Sequence, residues 1–340
     1  MILVSGSLAY DYIMDFPGYF RDHILPDKLH VLSVSFLIDK MERNFGGTAG
    51  NIAYNLALLG EKPTILSSAG NDFKEYGKWL RAKGIGLRAL RNVKGAPTAA
   101  AYIMTDRADC QIVGFYPGAM QRAALQLRAN SIGHRALMKL LALSPKPLAI
   151  IAPGNLDDMK MLPALYKKYK VSYIYDPGQN IAALTGADLR QGITGAKVFI
   201  FNDYELAMVL KKTGWRKREM VNRVEALVTT LGEKGSTIEI RNSKFEIRGM
   251  KSKTSFQFPV SSFKIPPAKP KNTSDPTGAG DAYRAGFIKG LLMGLPYDKV
   301  GKLAATVAAY TVEKYGTQTH TFTWSGLCKR YRENFKESLL

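Results

Sequence analysis

The chain has 340 residues, is 46% hydrophobic, carries a formal charge of +20 and has a pI of about 9.8. That length and apolar content suffice for a large α/β domain with a buried core, and no stretch is apolar for long enough to span a bilayer. Cys110 and Cys328 lie far apart without a CxxC or Cys/His companion, which argues against a disulfide or zinc framework and for free thiols.

Met1-Ile-Leu-Val lacks the basic lead of a signal peptide, so the expected compartment is the cytoplasm. The basic residues are scattered, with a denser run from Lys211 to Lys271, and no aromatic-interleaved RNA-reading module accompanies them. A solvated surface that helps to attract a nucleotide triphosphate is the preferred reading. Membrane binding is not expected, and a dedicated nucleic-acid site is the rival.

Taken in chain order, Ile2–Ser7 reads as a strand and Phe16-Pro17-Gly18 as a turn. The alternation in His30–Ile38 predicts a second, partly exposed strand. Gly46-Gly47 opens a helix that runs to about Leu59 and stops at Gly60. A strand–helix rhythm follows. Strand Thr64–Ser68 precedes a helix near Phe73–Lys83, and strand Leu148–Ala152 precedes a helix near Leu156–Tyr169. Strands Ser172–Tyr175 and Val198–Phe201 continue it. Apolar strands alternating with helices predict a parallel sheet covered on both faces. Thr98–Met104 and Gln111–Tyr116 predict a β-hairpin. With segments near Tyr12–Phe16 and His30–Ile38 it would form a small accessory sheet. Thr237–Phe258 reads as further β structure, and helices are predicted from Gly278 to Met293 and from Tyr297 to Tyr315.

The strongest chemical signal is Asp275-Pro-Thr-Gly-Ala-Gly-Asp281-Ala, a turn of small residues leading into an apolar-periodic helix. Unpaired N–H groups and the positive end of the dipole make such a helix start an anion site. Asp281 stands where a carboxylate could take a proton from an attacking hydroxyl. On residue chemistry alone, an ordinary glycine-rich cap with an acidic first turn explains the segment equally well. G-x-x-x-x-G-K-[ST] and G-x-G-x-x-G are both absent, so neither a P-loop nor a dinucleotide fingerprint is indicated.

Asp275–Ala282 resembles the C-terminal signature of the ribokinase, or PfkB-type, carbohydrate kinases. Three further motifs strengthen the resemblance in order: Gly46-Gly-Thr-Ala-Gly-Asn51-Ile-Ala, Asn202-Asp-Tyr-Glu205 and Thr230-Leu-Gly232-Glu-Lys-Gly235. The resemblance spans nearly the whole chain. It implies a ribokinase-like three-layer α/β/α fold with a mostly parallel central sheet. It also implies one kinase domain over 1–340, with a small β lid built from about 12–42 and 97–118.

The implied roles follow the motifs. Asp281 would be the general base, and the N–H groups of Gly278, Ala279 and Gly280 the anion hole. Asn202 and Glu205 would place phosphates and Mg²⁺, Glu205 through water. Thr230, Gly232 and Gly235 would border ATP. Asp11, Gly47 and Asn51 would clamp sugar hydroxyls, a carboxylate being a fitting acceptor for two vicinal hydroxyls. Read without the family, Asn202 and Glu205 are also a helix capping pair, and Asp11 a loop aspartate.

Gly6-Ser-Leu-Ala-Tyr-Asp11, Phe115-Tyr-Pro-Gly-Ala-Met120, Asp281-Ala-Tyr-Arg-Ala-Gly-Phe287 and Gly316-Thr-Gln318 are most similar to bacterial adenosine kinases. That similarity implies adenosine as the acceptor, Phe115 as a stacking face for the base, and Ser7, Ser35 and Gln179 as polar contacts. Simple lid packing is the other reading of Phe115. Ala99-Ala-Ala101 stands where a second lid aromatic is expected, which leaves room for a broader nucleoside kinase. A sugar kinase of the same family and a kinase-like nucleic-acid scaffold are the rivals. A monovalent cation and a homodimer stay open.

Overall fold

The computed structural model describes residues 1–108, 110–125, 137, 141, 144, 146–241 and 260–340. Its strands owe their place to continuous apolar runs. In β1 (Ile2–Ser5) every residue is buried, with Ile2 and Val4 packing into one core and Leu3 into another. This period-2 alternation between two cores is what a sheet covered on both faces requires.

Eight further strands join β1: β4 (Pro63–Ala69), β5 (Gly86–Asn92), β8 (Leu148–Ile151), β9 (Ser172–Tyr175), β10 (Val198–Asn202), β11 (Ala226–Thr230), β12 (Ser236–Arg241) and β13 (Val260–Ile265). Their order is β13-β12-β11-β10-β9-β8-β1-β4-β5. The pairs are parallel from β5 through β11, and β12 and β13 extend the edge antiparallel. Helices α1 (Thr48–Leu58), α7 (Ala279–Leu292) and α8 (Tyr297–Thr311) lie with one core. Helices α3 (Leu156–Lys168), α4 (Gly186–Ile193) and α5 (Asp203–Thr213) lie with the other. Helices α2 (Lys74–Ala82), α6 (Lys217–Val221) and α9 (Trp324–Phe335) are also present among the described residues. Among the described residues no helix is long and apolar enough to cross a membrane.

A separate sheet in the order β3-β2-β6-β7 is built from β2 (Ala9–Asp15), β3 (Lys40–Gly46), β6 (Ala99–Thr105) and β7 (Gln111–Tyr116). The expected hairpin is β6–β7. The strand expected over His30–Ile38 does not form: Pro26–Val31 is a 3₁₀ stretch, residues 32–38 are irregular, and the strand is β3. Leu29, Val31, Leu32 and Leu37 of that alternating run are exposed, so its pattern faces no core. Phe36 instead closes an aromatic knot, 4.9 Å from Phe16 and 5.2 Å from Phe20 between ring centroids. Of the expected β region Thr237–Phe258, β12 accounts for the start, and residues 242–259 lie outside the described residues.

Helices α7 and α8 meet across glycine. A Cβ at Gly286 would stand 2.7 Å from the Cα of Ala304, a distance at which backbone must shift. Gly286→Leu should therefore cost about 1–3 kcal/mol through overpacking, read as a lower denaturation midpoint in urea. An unchanged midpoint would mean that the two helices are not held at this distance.

Candidate active site

The parallel strands end, at their carboxyl edge, in the residues that carry the motifs. This is the edge at which open α/β sheets bind ligands. Ser7 follows β1, and its hydroxyl accepts from the Thr48 N–H (3.0 Å), so it fastens the start of α1. Gly47 precedes α1 at φ +83°, and a Cβ there would lie 2.7 Å from the Ser7 carbonyl oxygen and the Ala9 nitrogen. Only glycine fits this crossing of the large and small sheets.

Asn51, on the buried face of α1, donates from Nδ2 to Asp281 Oδ2 (2.9 Å). Its Oδ1 accepts from Gln318 Nε2 (3.1 Å). Gln318 is fixed in turn by the Tyr76 hydroxyl (2.6 Å) and by Trp79 Nε1 (3.1 Å). Asn51 is thus held in one amide orientation, with its NH₂ on the carboxylate.

Asp281 stands in the first turn of α7, after Gly278 at φ +79°. Burial pushes its carboxyl up to about 6, although the Arg284 guanidinium and the Asn51 amide pull the other way. Asp11 comes from β2 in the small sheet. Burial, together with the charges of Asp281 and Asp275, pushes Asp11 up to about 7. Asp275 is tied down by two backbone donors, the N–H of Thr277 (2.9 Å) and of Gly316 (3.0 Å). The Ala279 N–H already closes a turn on the Pro276 carbonyl (3.1 Å), so of the three expected anion-hole donors it is the one already engaged.

Arg284 and Asp176 form a buried ion pair one helical turn from Asp281. Asp176 follows β9, accepts from Arg284 Nε and, at 2.9 Å, from Nη2, and is 1% exposed. Sequence reasoning gave neither residue a role. Arg284 lay inside a quoted motif, but its partner is 108 positions away.

At the end of β10, Asn202 and Glu205 form the capping box of α5. The Glu205 N–H donates to Asn202 Oδ1 and the Asn202 N–H to Glu205 Oε2, both at 2.8 Å. Burial raises the Glu205 carboxyl, with Asp176 adding to the effect. Thr230 ends β11 and leans on the Phe201 carbonyl (3.3 Å). Gly232 (φ +57°) and Gly235 (φ +86°) turn the chain back into β12.

The small sheet places Asp11, Asn44, Ala101 and Phe115 in one cross-strand row, hence on one face. Phe115 is exposed there. Ser35 and Gln179 are also exposed, Ser35 in the irregular segment and Gln179 in a 3₁₀ turn after Asp176. The structure thus brings Asp11, Gly47, Asn51, Gly278 and Asp281 together where the two sheets meet, with the Asn202–Glu205 and Thr230–Gly235 turns at the ends of the neighbouring strands β10 and β11. It keeps Ser7 occupied at a helix start.

A large, mostly parallel sheet, a smaller sheet beside it and a carboxylate in a glycine-led helix turn define a ribokinase-like phosphotransferase that acts on a hydroxyl group. Residues 16–324 match the model of the pfkB family carbohydrate kinases, and the chain belongs to that family. The nucleoside kinase of Burkholderia thailandensis, solved with inosine, is 32% identical over 99% of both chains with a TM-score of 0.82. The nucleoside kinase of Methanocaldococcus jannaschii is 27% identical over 336 residues, covering 98% of this chain and 97% of its own. The cytidine kinase of Thermococcus kodakarensis is 24% identical over 80% of this chain and 88% of its own.

Arg284 lowers the Asp281 carboxyl more than Asp176 raises it. Asp176→Asn with Arg284→Met removes both charges without leaving one buried alone. Carbon-13 titration of the Asp281 carboxyl should then give a midpoint about one pH unit above that of the parent. A midpoint that stays in place would mean that solvent, not Arg284, sets the charge of this cleft.

Proposed function

We propose that the protein transfers the γ-phosphoryl group of ATP to the 5′-hydroxyl of a nucleoside, with purine nucleosides, adenosine foremost, as acceptors. The observation that carries the reading is the pair of buried carboxylates brought together from two parts of the fold, Asp11 from the small sheet and Asp281 from α7, with Asn51 fixed against Asp281.

In this mechanism Asp11 accepts hydrogen bonds from the two ribose hydroxyls and turns the 5′-hydroxyl toward Asp281. Asn51 occupies Oδ2 of Asp281, which leaves Oδ1 to receive the hydroxyl proton as attack begins. The transferred group then passes over the amino end of α7, where the free N–H groups and the dipole meet its negative charge. Most of the rate comes from positioning and electrostatics, as in phosphoryl transfer generally.

Asn202, Glu205, Thr230, Gly232 and Gly235 border ATP. Glu205 would meet a Mg²⁺ ion through water, and the ion would supply charge neutralisation on the triphosphate. The small sheet serves as a lid over the acceptor. Phe115 offers a face for the base, and the small Ala101 beside it leaves room beneath. In that row the one charged side chain, Asp11, is taken up by the ribose and none is left to read the base, which favours tolerance among purines. The inosine complex of the Burkholderia relative supports the same view.

Phosphorylation by MgATP across adenosine, inosine, guanosine, cytidine, ribose and fructose tests the reading, with Asp281→Asn as the control. Adenosine and inosine should be turned over well above ribose and fructose, and Asp281→Asn should lose roughly 10²–10⁴-fold in kcat. Turnover of the free sugars alone would overturn the acceptor class, and an Asn variant within threefold of the parent would overturn the base.

A further inference from the structure

Asn51 can face Asp281 with either end of its amide. The ionised carboxylate favours the NH₂ end, but that preference is lost once Asp281 has taken a proton. A turned amide could then accept from the protonated carboxyl and hold the proton there. A donor on the far side of Asn51 removes this choice, and Gln318 Nε2, 3.1 Å from Asn51 Oδ1, is that donor. We infer that Gln318 is a positioning residue for phosphoryl transfer, holding the Asn51 amide so that its NH₂ end stays on Asp281 before and after the proton moves. This rests on Asp281 as the base of the proposed reaction, and the identity of the acceptor does not enter.

The polarity of the Gln318 amide is set by groups that allow one choice only. The Trp79 indole can only donate, and its Nε1 donates to Gln318 Oε1 (3.1 Å). The Gly46 carbonyl can only accept, and it takes the single hydrogen of the Tyr76 hydroxyl (2.8 Å). That hydroxyl therefore accepts from Gln318 Nε2 (2.6 Å). The second hydrogen of Nε2 goes to Asn51 Oδ1, which leaves the Asn51 NH₂ for Asp281 Oδ2 (2.9 Å). Gln318 is 5% exposed and Asn51 4%, so a reversed amide would leave buried polar atoms unpaired.

The packing makes room for this chain of bonds. A Cβ at Gly50 would overlap the Tyr76 hydroxyl and stand 3.0 Å from Gln318 Nε2. The glycine next to Asn51 in α1 is explained by this contact. The segment that carries Gln318, between α8 and α9, is tied down on either side of it. Thr317 Oγ1 donates to the Phe45 carbonyl (2.7 Å), and the His320 carbonyl accepts from the Tyr54 hydroxyl (2.6 Å). Gly46, at the far end of the chain of bonds, lies against the Asp11 carboxylate. One set of hydrogen bonds therefore connects the backbone beside Asp11 with the amide on Asp281.

Gln318→Met keeps the length of the side chain, adds no charge and removes the donor. Carbon-13 titration of the Asp281 carboxyl in the full-length variant should give a midpoint about 0.5–1 pH unit above that of the parent. The loss of kcat should be concentrated below about pH 7, where the shifted carboxyl is still partly protonated, with KM for MgATP changed by less than about twofold. In an Asn51→Ala background the same substitution should move the midpoint by less than about 0.2 unit, because no amide is left to turn. Arg284, Asp176 and Asp11, which also act on or with Asp281, stay in place in every variant, so the difference between the two backgrounds belongs to Asn51. Gln318→Glu serves where the Met variant does not fold. It keeps the bond from Trp79, sets an acceptor before Asn51 Oδ1, and should raise the midpoint at least as far. An unchanged Asp281 midpoint in these variants would overturn the proposal, as would an equal shift with and without Asn51. If Asp281→Asn itself keeps parental turnover, the base assignment falls, and with it the catalytic use of Gln318, even where the midpoint moves.

Discussion

Crowded negative charge is the constraint on which this structure turns. Asp11, Asp176 and Asp281 are drawn into one buried region with Asp275 close by, and burial works against the ionised carboxylates of Asp11 and Asp281. The surroundings offset it with fixed groups: the Arg284 guanidinium, the Asn51 amide, the Thr277 and Gly316 N–H groups, and the amino end of α7. The two sheets are held at this point. Gly47 allows their strands to cross, and a Cβ at Gly46 would overlap the Asp11 carboxylate. A cleft built this way keeps a carboxylate basic enough to accept a proton near neutral pH.

The same parallel strands serve both ends of the molecule. Their carboxyl ends carry Asp176, Asn202 and Thr230, and their amino ends start at Ser172, Val198 and Ala226, beside a cluster of cations. The +20 charge is therefore not spread evenly in effect. Near the candidate site, Arg284 is absorbed by Asp176, whereas at the opposite pole Lys167 and Arg223 donate to neutral carbonyls.

The central sheet was legible because its strands are uninterrupted apolar runs, and the cleft because its motifs are local. Gly278 and Asp281, or Asn202 and Glu205, are each read within one turn of chain. Contacts between distant positions were not legible in that way. Arg284 and Asp176, or Gln318 and Asn51, meet only through the fold. Strand β3 escaped notice because Lys40, Glu42, Arg43 and Asn44 make it polar: it lies at the edge of the small sheet, with Phe45 packed against the core. Its neighbour 30–38 misled for the opposite reason, since its apolar residues alternate yet stay mostly exposed and close an aromatic knot through Phe36. The capping box of α5 bears out the structural reading of Asn202 and Glu205, and their role toward phosphates belongs to the proposed function.

The central claim is that Asn51 and Asp281 act as one unit, with the amide presenting the carboxylate to the acceptor. A double-mutant cycle on kcat tests it most directly, using Asn51→Ala, Asp281→Asn and the pair with adenosine as acceptor. Strong non-additivity is predicted, with the double variant no slower than Asp281→Asn by more than about threefold. Losses that simply multiply would show that Asn51 acts elsewhere and that the carboxylate works without it.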